Sequence, residues 1–112
     1  MSTYSIVLKQ PAANGSPVTL DLLNIKKAAL VLRAINHKLR QQIIKLIDEN
    51  EKITVTEIYT YLRIEQSVAS QHLAILRKAG IVITSRNGKF IHYSVNHQRI
   101  LDINRFVEQL LK

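Results

Sequence analysis

Cysteine is absent from this chain of 112 residues, which removes disulfides, thiolate metal ligands and thiol redox sensing together. Long apolar runs are lacking too. The longest, Ala28–Leu32, falls far short of the ~18 residues of a membrane span. The start, Met1-Ser2-Thr3-Tyr4, has neither the basic start nor the apolar core of a secretory signal, so the cytoplasm is the expected location and no membrane partner is expected. There is no internal repeat, no Gly-rich phosphate loop, no nucleophile–base pair at a recognisable spacing and no metal constellation, which sets enzymes aside and leaves no cofactor to expect. Negative charge is scarce: 8 acidic residues face 16 lysines and arginines, for a formal net charge of +8. An excess of that size on one small domain favours a polyanionic partner, nucleic acid first.

The chain is long enough for one modest core. Residues 1–19 read as a flexible or extended arm, because Gln10, Pro11, Asn14, Gly15, Ser16 and Pro17 cluster turn formers behind a short extended piece, Tyr4–Leu8. Residues 20–112 read as one folded domain. Leu20–Ile35 is helical in composition with apolar groups nearly all round, so it must be covered on more than one side. Asn36 is placed to cap a second helix whose apolar positions, Leu39, Ile43, Ile44 and Ile47, keep helical spacing. Thr54 and Glu57 have the spacing of a capping box, which starts a third helix over about 55–62. A fourth helix runs Gln66–Ala79 and is stopped by Gly80. The β-branched and aromatic runs Ile81–Thr84 and Phe90–Val95 flank Asn87-Gly88, a strong hairpin signal. The last segment, Asn96–Lys112, puts Ile100, Ile103, Phe106, Val107, Leu110 and Leu111 on one arc of a helix.

This order predicts a mainly α fold with a β-hairpin wing, a winged helix-turn-helix (α-α-α-α-β-β-α). The fourth helix carries the chemistry. Ala69, Leu73 and Leu76 make one face; Ser67, Ser70, Gln71, Ala74 and Lys78 make the other. Short polar side chains let a helix lie close in a major groove about 12 Å wide, where Ser and Gln hydrogen-bond base edges and an Ala methyl touches thymine. Gln71 is the strongest base-contact candidate, since a carboxamide both donates to and accepts from adenine. Arg77 and Lys78 are placed to reach phosphates, and Arg86 and Lys89 flank Asn87 and Gly88 in a basic wing tip. His72 falls on the inner side, toward Val68 and Leu76, as a partly buried support.

The run Glu65-Gln66-Ser67-Val68-Ala69-Ser70-Gln71-His72-Leu73-Ala74-Ile75-Leu76-Arg77-Lys78-Ala79-Gly80-Ile81-Val82 resembles the recognition-helix signature of the ArsR/SmtB repressors. Leu32–Arg40 resembles the segment joining that family's first two helices, without its usual proline, and Phe90–Val95 resembles its second wing strand. The resemblance implies a homodimer joined by its first and last helices that represses an operator until an inducer, unknown here, releases it. For this chain such an interface would use Leu23, Leu30, Ile100, Ile103, Phe106, Val107 and Leu110. DNA contacts carried over by position are Gln66, Ser67, Ser70 and Gln71, with the wing at Arg86–Lys89. The family's metal sites fall on Thr54 and Thr56, and on His97, Arg99 and Leu110, so no metal is expected.

The expected function is that of a sequence-specific transcriptional regulator, a repressor that binds an imperfect palindrome in double-stranded DNA. Two alternatives stay open. One is a winged helix that has become a protein-interaction module, since fold alone does not set function; it would show apolar or acidic residues where Ser67, Ser70, Gln71 and Lys78 stand. The other is a metal-sensing repressor with a rearranged site of His92, His97 and Asp102.

Overall fold

A computed structural model describes residues 4–112. The expected arm therefore has its first three residues outside the described part. The chain divides after Arg33 into two compact units.

In the first unit, β1 (Ser5–Val7) and β2 (Thr19–Asp21) form an antiparallel ribbon with Ile6 opposite Leu20. The segment expected to be a flexible or extended arm is thus tied by a backbone ladder, which continues where the Leu8 N–H donates to the Val18 carbonyl at 2.9 Å. The turn formers close the ribbon, with Gly15 at φ +83°. Thr19–Asp21 is strand rather than the start of a helix, and α1 runs Leu22–Ile35. The correction at its start has a local cause: the Asp21 carboxylate accepts from the Asn24 N–H at 3.0 Å and so marks the helix end. The apolar side chains round α1 do not all find cover, and Leu23, Ile25 and Leu30 stay exposed.

The second unit holds the core. His37, not Asn36, caps α2 (Lys38–Glu49), its Nδ1 accepting from the Leu39 N–H at 3.2 Å. β3 (Ile53–Thr54) leads into α3 (Val55–Leu62), and the capping box is present: Thr54 Oγ1 accepts from the Glu57 N–H while the Glu57 carboxylate accepts from the Thr54 N–H. Arg63, left-handed at φ 55°, ends α3. After Ile64 and Glu65, α4 (Gln66–Lys78) begins. Gly80, at φ +79°, turns the chain into β4 (Val82–Asn87), which pairs with β5 (Phe90–Val95) before α5 (His97–Leu110).

Two features of the sheet differ from expectation. β4 reaches Asn87, which pairs with Phe90, so the turn is Gly88-Lys89 and Asn87 belongs to the ladder. Of the two turn residues only Gly88 has positive φ, at 63°, the requirement of a turn with glycine first. The two-residue β3 adds a third strand, in the order β3-β5-β4.

Ile43, Ile47, Ile58, Leu73, Leu76, Ile81 and Val82 are fully buried. They join α2, α3, α4 and the base of the wing in one cluster, against which Ile100 and Ile103 of α5 lie half-buried. The architecture is a winged helix-turn-helix with the expected order of helices and hairpin in this unit.

Candidate nucleic-acid interface

Along α4, Ala69, Leu73 and Leu76 are wholly enclosed. The opposite face carries Gln66, Ser67, Ser70, Gln71, Ala74, Arg77 and Lys78, every one exposed. Burial of the apolar stripe is what turns these short polar groups outward, because a helix anchored on one face cannot rotate to hide the other. Glu65 stands at the N-cap without a side-chain cap hydrogen bond. It is the one acidic residue in the segment 65–78.

The wing presents Arg86, Asn87 and Lys89, also exposed. Arg86 Nε donates to the Gly88 carbonyl at 3.4 Å, bending the guanidinium over the turn. The sequence-predicted candidates therefore lie on two surfaces of the second unit, the outer side of α4 and the hairpin tip.

Behind α4 lies a group that sequence reasoning captured only in part. Arg40 of α2 is buried, 7% exposed, with Nε donating to the Ala34 carbonyl at 2.6 Å and Nη1 to His72 Nδ1 at 3.1 Å. The His37 and His72 rings lie 4.8 Å apart. Burial first, then repulsion of a second positive charge by the basic neighbours His37 and Arg40, holds the His72 imidazole below the usual histidine pKa. His72 takes the inward, half-buried place expected of it. Arg40 was missed, although it occupies the apolar stripe of α2 with Ile43 and Ile47, and a charged residue on such a stripe is a signal of a buried polar contact.

The residues at the family's metal positions do not fit a metal. Thr54 Oγ1 is committed to Glu57, hydroxyls are poor ligands for soft cations, and His97 Nε2 is paired with Asp48 at 2.9 Å. Asp102 accepts from Gln98 at 3.0 Å. Among the described residues no three His, Asp or Glu side chains are grouped as a metal would need, so His92, His97 and Asp102 are not brought together.

Residues 37–84, which contain α2 through the first half of β4, match the model of the bacterial regulatory proteins of the arsR family. An HTH-type transcriptional regulator of Methanocaldococcus jannaschii is 35% identical over 76% of this chain and 96% of its own length. The chain belongs to the ArsR family. The transcriptional activator HlyU of Vibrio cholerae is 33% identical over 80% of the chain and 84% of its own length; its solved structure superposes with a TM-score of 0.60 over 78% of this chain and 90% of that one. The transcriptional repressor PagR of Bacillus anthracis is 25% identical over 81% of the chain and 91% of its own length. Members of this family are DNA-binding transcriptional regulators, not enzymes, and that is the function of this chain. No helix among the described residues is long and apolar enough to cross a membrane.

Proposed function

We propose that the protein binds an imperfect palindrome in duplex DNA as a homodimer, each protomer laying α4 in a major groove and its wing along the backbone, and represses transcription by occupying that site. The observation that carries this reading is the division of α4 into an enclosed apolar face and an exposed face of Gln66, Ser67, Ser70, Gln71 and Ala74. Gln71 and the two serines read base edges; Ala74 touches a thymine methyl. Arg77, Lys78, Arg86, Asn87 and Lys89 hold phosphates and position the helix.

Residues 20–112 serve as the DNA-binding and dimerisation domain, with α1 and α5 as the interface. Leu30, Phe106 and Leu110 support it: they are 53%, 49% and 64% exposed, apolar surface that a second copy of the chain would cover. Ile100 and Ile103 already lie against the protomer's own core, and Val107 is half-buried. On α1, Leu23 adds exposed apolar surface of the same kind.

Selection of bound duplexes from a random pool tests the whole reading. The expected product is a palindrome with half-site centres about one helical turn, ~10 to 10.5 base pairs, apart. Affinity for it should fall with salt at a log–log slope of about −0.9 per phosphate contact. A pool that yields no common sequence, or a binding constant indifferent to salt, would point to a protein partner.

A further inference from the structure

We infer that Arg40 and His72 are positioning residues that set the rotation of α4 about its own axis, and that they do so only while His72 Nδ1 carries no proton. This rests on the reading of α4 as the helix that contacts bases.

The geometry is restrictive. Arg40 is the buried charged residue among the described ones, and a guanidinium withdrawn from water must find fixed acceptors. It finds the Ala34 carbonyl through Nε at 2.6 Å and His72 through Nη1 at 3.1 Å. Because the guanidinium is a rigid planar fork, fixing Nε on Ala34 also fixes the direction of Nη1. His72 stands between Gln71 on the exposed face of α4 and Leu73 on the enclosed face. A bond to its ring therefore sets which residues of the helix point outward.

Arginine can only donate, so Nδ1 must accept and the ring proton sits on Nε2. A second proton would set N–H against N–H and place a charge beside a buried cation. The groups that act on the imidazole are His37, across the ring contact, and Arg40, both basic. The elements α2, α3 and β4 pack against α4. Among the described residues none of them brings a carboxylate into a hydrogen bond or ion pair with His72.

The consequence runs against the ordinary behaviour of a basic DNA-binding protein. Added positive charge strengthens contact with phosphate, so protonated histidines should tighten binding. Here acid should weaken recognition of the operator.

The test uses the full chain and the palindromic duplex obtained by selection, with affinity for operator and for random duplex measured at pH 8 and at an acid pH where NMR of the free protein shows the His72 ring protonated. Wild type should lose discrimination between the two duplexes at that acid pH, on the order of tenfold, the size of one mispaired base position. His72→Asn keeps an acceptor and cannot be charged, so it should bind as wild type at pH 8 and show no acid loss. Arg40→Lys keeps the charge without the fork and should lose discrimination at both pH values with its salt slope unchanged. If Arg40→Lys does not fold, His72→Asn and the ring titration decide.

A His72 ring titrating at or above the usual histidine range overturns the inference, as does equal discrimination by wild type at both pH values. So does an acid loss that persists in His72→Asn. Failure of the α4 reading looks different: Gln71→Ala would leave base preference unchanged while His72 still titrated low.

Discussion

Gly80 joins α4 to the wing, and two independent constraints meet on it. Its φ of +79° costs a side-chain-bearing residue about 1 to 2 kcal/mol, and a Cβ there would come within 3.2 Å of Arg99 Nε. That nitrogen is already donating to the Ala79 carbonyl at 3.1 Å, so it has little room to yield. Gly80→Ala should therefore lower unfolding free energy by roughly 1 to 2 kcal/mol, read as a fall in urea midpoint at constant slope. Titrating residues add a second expectation. Glu57 is held below the usual carboxylate range, first by the Thr54 N–H and then by the Thr54 hydroxyl. Its contribution is present above the unfolded carboxylate pKa and is lost as pH falls through the lowered folded value. His72 has a lowered pKa as well. Below the usual histidine pKa of about 6.5 the unfolded chain takes a proton that the folded chain resists, so stability falls with pH there too. Thermal melts between pH 7.5 and 5 should show declining midpoints that begin near 6.5, and His72→Asn should flatten the upper part of that decline.

Among elements, α4 and the wing have different surfaces and should fail differently. Gln71 is exposed on the side of α4 away from Leu73, so Gln71→Ala leaves the core untouched. It should relax preference at one base position per half-site, at a cost of ~1 to 3 kcal/mol for the missing bidentate hydrogen bonds. Lys78→Ala and Arg86→Ala should weaken all duplexes alike and reduce the salt slope by roughly one unit for each phosphate no longer neutralised. Competition titrations with operator and random duplex separate the two patterns. Unchanged affinity and base preference in Gln71→Ala would move the reading face off α4.

For the molecule as a whole, the exposed apolar residues of α5 provide the substitution that decides whether it works as the proposed dimer. Phe106 is half exposed in the protomer, so Phe106→Asp should fold. In an interface the same change buries an unpaired charge. Sedimentation should then show monomers, and operator affinity should collapse, because one protomer reaches one half-site. A dimeric Phe106→Asp protein would place the interface elsewhere. If the wild-type protein binds as the proposed dimer, inserting half a turn of DNA between half-sites should abolish binding, since the second α4 would meet the opposite side of the duplex.

Features that depend on residues close in the chain were legible in the sequence. The capping box at Thr54 and Glu57, the stop at Gly80 and the two faces of α4 follow from spacing along one helix, and the structure has each of them. Other features answer to partners far along the chain. Ile53–Thr54 becomes a strand only because β5 lies beside it, and two residues carry no period of their own. The ribbon of residues 5–21 forms by pairing across a loop whose composition reads as free chain. Asn87 joins the ladder because cross-strand register, not dipeptide preference, placed the turn at Gly88-Lys89. Arg40 is buried because the Ala34 carbonyl and an imidazole from another helix converge on it. Local signals name a helix and its faces; long-range packing chooses the partners of each face, and with them the rotation at which α4 is held.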